Sequence, residues 1–193
     1  MGTKDFGTRR RLLAFGFALP FVACLSIAGA AQPALACHEG SPTRPETEGP
    51  YFKLASPERQ SLLESGTTGR RLILTGSVTA TTCRPIARAL LDFWQADAAG
   101  EYDNVGFRLR GHQFTDAKGH YKLETVVPGV YPGRTQHIHV KITVPGRPTL
   151  TTQLYFPGQP LNARDPLFHA DLLVSVIGDA DPLLATFDFV VSV

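Results

Sequence analysis

Pro-Gly pairs divide the second half of the chain into short apolar segments, and the spacing of these pairs restricts the possible folds more than any other sequence feature. The three pairs are Pro128-Gly129, Pro145-Gly146 and Pro157-Gly158. Proline and glycine favour tight turns and are disfavoured inside helices and strands, so each pair ends the element before it. Short apolar segments joined by tight turns are typical of β-strands and argue against a helical bundle.

Seven segments have the apolar and β-branched content of strands. They are residues 72–78, 87–95, 119–127, 137–144, 150–156, 172–177 and 186–193. In the second segment, Leu91 and Phe93 lie on one face, whereas Asp92 and Trp94 lie on the other. The expected fold is all-β, a single-domain β-sandwich of about seven to nine strands over residues 71–193.

Residues 37–70 are predicted to form an N-terminal arm in front of the sandwich. Residues 37–50 are rich in Pro, Thr, Glu and Gly and are expected to be irregular. Residues 57–64 are predicted to form a short helix, because Ser56 suits an N-cap and Pro57 suits the first helical turn.

Residues 1–36 are predicted to be an export signal. Arginines precede an uncharged run over residues 12–31, and Ala34-Leu35-Ala36 offers the small residues of a cleavage site. The paired arginines resemble the twin-arginine route, so the expected location is the periplasm or the outside of the cell. An uncleaved membrane anchor and a lipoprotein acylated at Cys37 are the alternatives.

The basic charge of the chain belongs mostly to this predicted signal. Its removal takes away four of the basic residues and one acidic residue and leaves a nearly neutral domain: Lys4, Arg9, Arg10, Arg11 and Asp5 are lost. A neutral domain has no electrostatic basis for binding nucleic acid or an anionic membrane.

The mature chain would keep two cysteines, Cys37 and Cys83. In an oxidising compartment they could form a disulfide that ties the start of the arm to the sandwich. A free, buried Cys83 is the alternative. Neither belongs to a Cys-x-x-Cys motif, which argues against a thiolate metal site.

The segment Tyr131 to His139 contains the strongest candidate for a functional site. Alternation along a strand turns His137 and His139 to the same face, with positions about 6–7 Å apart, while Ile138 faces the other way. Two imidazoles can then converge on one metal ion. The turn after Tyr131 can bring its phenol toward that ion, with Arg134 as a fixed positive charge beside it.

A second phenol, Tyr102, follows the strand that ends near Trp94 and a turn at residues 96–101. Side chains that follow a strand end and a turn are commonly functional, because the rigid strand fixes their position. Taken alone, Tyr102 would by default be interpreted as a side chain that covers the edge of a sheet.

These segments together resemble the intradiol ring-cleavage dioxygenases, the superfamily of catechol 1,2-dioxygenase and protocatechuate 3,4-dioxygenase. The resemblance runs in one order through residues 47–52, 83–86, 94–102, 110–111, 115–116, 119–121, 128–131, 137–139 and 152–156. It implies a non-haem Fe(III) bound by Tyr102, Tyr131, His137 and His139. Phenolate oxygens suit the hard ferric ion better than thiolates do.

The resemblance also implies roles in catalysis. A catechol-type substrate would bind the iron, and O2 would open its ring to a muconate-type dicarboxylate. Tyr131 would release the metal and take a proton from the substrate, Arg134 would stabilise negative charge on the ring, and Gln153 would position substrate. Gly49, Pro50 and Tyr51 would line the pocket.

The chain departs from the catechol and protocatechuate enzymes in the connection between Tyr131 and His137, which is only five residues long. A shorter loop predicts a more open pocket and larger or substituted catechols as substrates. No counterpart is expected in this sequence for the long N-terminal helical segment through which catechol 1,2-dioxygenases dimerise, so the oligomeric state does not follow from the resemblance.

Two other functions remain open on sequence grounds. The first is a non-catalytic secreted β-sandwich that binds phenolics or carbohydrate. The second is a zinc hydrolase built on the His137 and His139 pair, which would need a third histidine or a carboxylate, with Asp103 as the nearby candidate.

Overall fold

Nine strands and two short 3₁₀ turns make up the regular structure of residues 1–3 and 41–193, the part of the chain that this computed structural model describes. Residues 4–36 of the predicted signal and Cys37 lie outside the described residues. Among the described residues, no helix has the length and hydropathy needed to cross a membrane.

The strands form two sheets that face each other across an apolar core, which confirms the predicted β-sandwich. Their bounds are β1 (Arg71–Ala80), β2 (Leu90–Trp94), β3 (Arg110–Phe114), β4 (His120–Val126), β5 (His137–Thr143), β6 (Leu150–Tyr155), β7 (Ser175–Ile177), β8 (Leu183–Thr186) and β9 (Phe189–Val191). The first sheet has the order β4-β1-β8-β7, with β9 also paired to β1, and the second has the order β3-β2-β5-β6. The 3₁₀ turns are Asn162–Arg164 and Ala170–Leu172.

Alternation along β2 and β5 divides the second sheet into a core face and an outer face. Leu91, Phe93, Ile138 and Val140 are fully buried in the core between the sheets. Their neighbours, His139 among them, therefore lie on the outer face. The candidate site is built on this outer face.

The arm covers part of that outer face, as expected for an irregular segment. The backbone N–H of Glu46 donates to the carbonyl of Thr151, and Thr152 Oγ1 donates to the carbonyl of Arg44. These bonds bring residues 41–52 alongside the strands that carry the candidate site.

The predicted helix at residues 57–64 is wrong, since this segment is extended. Glu58 pairs with His112 of β3, and Ser61 pairs with Glu124 of β4. Both partners lie on strands at sheet edges, whose open N–H and C=O groups satisfy this backbone. Leu62 is thereby fully buried in the core, and Ser56 donates to Asp92 rather than capping a helix.

Two predicted strands also differ from the structure. Residues 172–177 contribute a strand only from Ser175, and residues 186–193 are divided between β8 and β9. The division arises where Asp188 Oδ1 accepts hydrogen bonds from the N–H (2.7 Å) and hydroxyl (2.8 Å) of Ser77. Gly76 allows this approach, because a Cβ there would lie 1.8 Å from the carbonyl oxygen of Phe187.

Strand β3 was not predicted, because its sequence Arg-Gly-His-Gln-Phe lacks an apolar pattern. It forms through antiparallel pairing with β2, in which Trp94 lies opposite Arg110. Cys83 is disulfide-bonded, so the alternative of a free thiol is wrong. Its pairing with Cys37 stays a prediction.

Candidate functional site

The two histidines of β5 converge on the outer face of the second sheet. His137 and His139 are 4% and 3% exposed, and their Nε2 atoms are 3.1 Å apart. Ile138 lies between them in sequence and points into the core. Strand alternation therefore accounts for the convergence, as the sequence predicted.

The hydrogen bond of His137 fixes which of its nitrogens is available. Its Nδ1 lies 2.7 Å from the carbonyl oxygen of Thr135, an acceptor, so Nδ1 carries the proton and Nε2 carries the lone pair. Burial lowers the pKa of His137 to about 4. At neutral pH the ring is uncharged, which is the form that binds metals.

The ring of His139 is held by stacking on Trp94 and by the contact of its Nε2 with His137. It lies 4.8 Å from the Trp94 ring at an interplanar angle of 7°. Its buried Nδ1 has no hydrogen-bond partner among the described residues. Burial, followed by the neighbouring His137, lowers the pKa of His139 well below its usual value.

Tyr102 reaches the imidazoles from the loop that follows β2. Its hydroxyl lies 3.4 Å from His137 Nε2. Asp97 shapes this loop, since its Oδ1 accepts from the backbone N–H groups of Ala99 (2.9 Å) and Glu101 (3.0 Å). Burial raises the pKa of the Tyr102 phenol.

Tyr131 lies beside Tyr102 but contacts neither imidazole through a hydrogen bond or a ring contact among the described residues. Its ring meets the Tyr102 ring edge-on, with centroids 5.7 Å apart. Its hydroxyl is 2.7 Å from the hydroxyl of Tyr51. The backbone places it there because Gly129 N–H donates to the carbonyl of Asp97, which joins the two tyrosine loops.

Tyr51 is the third phenol of the site. Its ring stacks on Tyr102 with a centroid distance of 4.2 Å and an interplanar angle of 11°. The hydrogen bond to Tyr131, with burial as the next cause, raises the pKa of Tyr51. Sequence similarity placed Tyr51 only at the wall of the pocket, and no sequence pattern indicated that it would bind Tyr131.

Gly49 brings the arm against the imidazoles. Its φ is +69°, and a Cβ at this position would lie 3.3 Å from Cε1 of His139. A side chain would therefore be strained and crowded there. Phe52 follows in the arm and covers Trp94, with ring centroids 4.9 Å apart.

Arg134 and Gln153 are held in one hydrogen-bonded network. Arg134 Nη2 donates to Gln153 Oε1 (2.6 Å) and lies 3.3 Å from the hydroxyl of Tyr155. Gln153 Nε2 donates to the carbonyl of Thr47 in the arm, at 2.9 Å. Because Gln153 lies opposite His139 in the β5–β6 pairing, the network adjoins the imidazoles.

Asp165 completes this network and was not identified from the sequence. Its two carboxylate oxygens are 3.1 and 2.9 Å from Arg134 Nε. Burial alone would raise the pKa of Asp165, but hydrogen bonds from the backbone of Leu167 and Thr135, and the charge of Arg134, lower it overall. A single aspartate in the connection after β6 carries no sequence signal for this role.

The donor atoms fit a hard transition metal such as ferric iron. First-row metals bind imidazole nitrogen at about 2.0–2.1 Å, so two nitrogens sharing one ion lie about 3 Å apart. The 3.1 Å separation of His137 and His139 agrees with this. Tyr102 supplies the adjacent oxygen donor, and the ring of Tyr131 contacts the ring of Tyr102.

Among the described residues, the zinc-hydrolase alternative finds no third ligand. Residues 41–193 contain no group of three or more His, Cys, Asp or Glu side chains arranged to bind a metal. Asp103 caps its own turn, because its carboxylate accepts from the N–H groups of Val105, Gly106 and Arg108. Hydrogen bonds from Arg108 and Gly106 lower the pKa of Asp103 to about 2.

Known proteins resemble this chain over most of its described length. The family described as Dioxygenase (Dioxygenase_C) matches residues 47–193. The protocatechuate 3,4-dioxygenase β chain of Burkholderia cepacia is 36% identical over 118 residues, which cover 52% of this chain and 50% of that protein. Hydroxyquinol 1,2-dioxygenase of Nocardioides simplex is 27% identical over 195 residues, which cover 87% of this chain and 64% of that protein. The chain thus spans about half to two thirds of the length of these relatives.

Solved structures show the same fold. The dioxygenase domain of a dioxygenase and carbohydrate-binding protein fusion from Streptomyces sp. SirexAA-E is 55% identical, with a TM-score of 0.77 and coverage of 79% of this chain and 99% of that chain. An intradiol ring-cleavage dioxygenase from Tetranychus urticae is 25% identical, with a TM-score of 0.72 and coverage of 79% and 95%.

Proposed function

Because this chain belongs to the intradiol ring-cleavage dioxygenase family, we propose that it cleaves a catechol-type aromatic with O2 at a non-haem Fe(III). The ligands would be Tyr102, Tyr131, His137 and His139. The observation that carries the proposal is the meeting of two uncharged imidazole nitrogens, 3.1 Å apart, with the Tyr102 hydroxyl 3.4 Å from one of them.

Bound ferric iron, held by those four residues, would supply Lewis-acid activation of a catecholate toward O2. The reaction adds both oxygen atoms of O2 to the catechol and yields a muconate-type dicarboxylic acid. Its atoms and electrons balance without an external reductant. The remaining tasks fall to side chains of this chain.

Tyr131 and Tyr51 form a pair suited to holding a substrate proton. The catechol must lose its hydroxyl protons to bind as a dianion, and Tyr131 Oη is the proposed acceptor of one. In its protonated state, Tyr131 shares a hydrogen bond of 2.7 Å with Tyr51. This bond and the edge-on contact with Tyr102 hold the phenol beside the site.

Arg134 provides positive charge for the negative charge that develops on the ring. Its Nε is bound by Asp165 and its Nη2 by Gln153. Its Nη1 has no hydrogen-bond partner within residues 41–193. Nη1 is therefore the nitrogen available to a substrate oxygen.

The short connection between Tyr131 and His137 supports a substrate with large substituents. It contains five residues, of which Pro132 and Gly133 are exposed. Neighbouring Val130 is 47% exposed, so an apolar surface borders the turn. We expect catechols that carry a bulky substituent to be cleaved at least as efficiently as catechol itself. Oxygen uptake across a substrate series measures this, and turnover of unsubstituted catechol alone would contradict it.

The decisive experiment combines metal analysis, a visible spectrum and product identification on the purified domain. Phenolate-to-iron charge transfer would give a visible absorption band that shifts when a catechol is added without oxygen. Oxygen uptake should then match the ring-opened acid in a ratio of about one to one, as expected for a dioxygenase. An iron-loaded protein that binds catechols without opening them would refute the proposed activity. A folded domain without iron or colour would support the binding-module alternative.

Export of the domain is also a proposal. Its support is the twin-arginine-like sequence at residues 1–36, together with the disulfide-bonded state of Cys83, which suits an oxidising compartment. Sequencing the N-terminus of the protein recovered from the culture medium or periplasm tests it. Retention of the whole protein, with its N-terminus intact, in the cytoplasm would contradict it.

A further inference from the structure

Asp165 is a buried carboxylate to which neither the sequence nor the family resemblance assigned a role. Its side chain is 1% exposed, and it lies just after the 3₁₀ turn Asn162–Arg164, in the connection that leaves β6. Oδ1 accepts from the N–H of Leu167 at 2.9 Å, and Oδ2 accepts from the N–H of Thr135 at 2.8 Å. Both oxygens also face Nε of Arg134. The carboxylate is therefore fully used inside the protein and is not available to substrate.

The contacts of Asp165 fix the rotation of the Arg134 guanidinium. A planar guanidinium held at Nε by one partner and at Nη2 by another cannot turn about its axis. Asp165 and Gln153 are those two partners. The remaining nitrogen, Nη1, is left pointing in a single direction.

The same carboxylate is linked to His137 through the backbone of a single residue, Thr135. Asp165 accepts from the backbone N–H of Thr135, and the carbonyl of Thr135 accepts from Nδ1 of His137 at 2.7 Å. The Thr135 backbone thus lies between Asp165 and the imidazole. The main effect of Asp165 on the rate is nevertheless expected through Arg134, since Arg134 is the contact of Asp165 whose positive charge would face the substrate.

We propose that Asp165 is the positioning residue for Arg134, and that it aims Nη1 at the substrate oxygen on which negative charge develops. This inference rests on the proposed function. Because Arg134 acts when charge develops, loss of Asp165 lowers kcat and leaves KM nearly unchanged. A displaced catalytic group costs on the order of 10- to 100-fold in rate.

Asn162 provides a matched control in the same connection. Its Oδ1 accepts from Thr135 Oγ1 at 2.7 Å, and its Nδ2 donates to the carbonyl of Phe156 at 2.9 Å. Like Asp165, it anchors this connection to Thr135, but it makes no hydrogen bond to Arg134. Asn162→Ala therefore tests the loss of a hydrogen bond to Thr135 with the ion pair between Asp165 and Arg134 kept. Asp165→Asn tests the loss of a hydrogen bond to Thr135 together with the ion pair to Arg134.

The experiment measures kcat and KM for four variants: Asp165→Asn, Asn162→Ala, Arg134→Met and the double variant of Asp165 and Arg134. We expect Asp165→Asn to lose roughly 10- to 100-fold in kcat and Asn162→Ala to lose less than about 3-fold. With Arg134→Met already present, Asp165→Asn should add less than about 3-fold, because it acts through the missing guanidinium. Equal losses in Asp165→Asn and Asn162→Ala, or additive losses in the double variant, would overturn the proposal.

Two further measurements keep the test decisive. If Asp165→Asn does not fold, Asp165→Glu keeps the charge and displaces it by one methylene. That variant should show the same loss of kcat, and an unchanged kcat would overturn the proposal. The same four variants are also unfolded in urea, which needs no turnover. Independent effects of Asp165 and Arg134 on stability would contradict the contact on which the inference depends, whereas an inactive wild-type protein would refute the proposed function.

Discussion

Removing the hydroxyl of Tyr51 tests the idea that Tyr131 is held by a second phenol while it carries a substrate proton. The substitution Tyr51→Phe keeps the ring, which stacks on Tyr102 at 4.2 Å, and removes only the oxygen that lies 2.7 Å from the Tyr131 hydroxyl. The variant therefore separates the hydrogen bond from the packing.

The size of the effect follows from the kind of bond that is lost. A hydrogen bond between two neutral hydroxyl groups contributes about 0.5–1.5 kcal/mol net. If the bond stabilises protonated Tyr131 during turnover, its loss lowers kcat by about 2- to 12-fold. Tyr51→Leu also removes the stacked ring, which is worth about another 0.5–1.5 kcal/mol, and should be the less stable of the two variants.

Tyr121→Phe is the matched control for these measurements. The Tyr121 hydroxyl donates to the carbonyl of Phe187 at 2.8 Å, within the core and away from the imidazoles. Steady-state oxygen uptake and urea unfolding are measured for both phenylalanine variants. Tyr121→Phe should lose stability with kcat unchanged. If Tyr51→Phe behaved in the same way, Tyr51 would have only a structural role and the proton-holding argument would fail.

Three further predictions concern the groups around the imidazoles. Gly49→Ala should destabilise the fold by about 1 kcal/mol and lower the iron content, because φ is +69° and the new Cβ would lie 3.3 Å from Cε1 of His139. Urea unfolding measures the stability and metal analysis measures the iron content. A normal iron content would count against the close approach. Trp94→Leu should reduce iron affinity in a competition with a chelator, since it removes the ring on which His139 stacks. Unchanged affinity would show that this stacking is not needed. Because the pKa of Asp165 is lowered by folding, its ionised form stabilises the fold above about pH 4, and this stability is lost as the pH falls through the pKa of the folded protein. Asp165→Asn should therefore flatten this part of the plot of urea midpoint against pH. Identical plots for the variant and the wild type would contradict the lowered pKa of Asp165.

The strands that the sequence predicted are those whose side chains face the apolar core. β5 was recognisable because Ile138, Val140 and Ile142 alternate with polar residues, and that alternation also placed His137 and His139 on one face. β3 and the 57–64 segment were missed or misassigned because their structure depends on partners. Ser56 and Pro57 suit a helix start locally, but the exposed edges of two sheets offered the backbone better partners.

In the candidate site too, some residues could be identified from the sequence and others only from the structure. Motif similarity identified Tyr102, Tyr131, Arg134 and Gln153, and the structure brings them around the histidines through two loops and a neighbouring strand. Asp165 could not be found in this way, because it lies far from Arg134 in sequence and belongs to no pattern. Only folding brings its carboxylate within hydrogen-bonding distance of Nε.

The amino-acid sequence alone determined the β-sandwich class, the facing pair of imidazoles and the family, because strand periodicity and short motifs are local properties of the chain. The tertiary structure decided which phenol pairs with which, where Arg134 points and what holds it there. Those contacts join residues separated by many positions, such as Tyr51 with Tyr131 and Arg134 with Asp165. Local preferences carry no information about them, since the partners meet only after the sheets have formed and the arm has been laid across them.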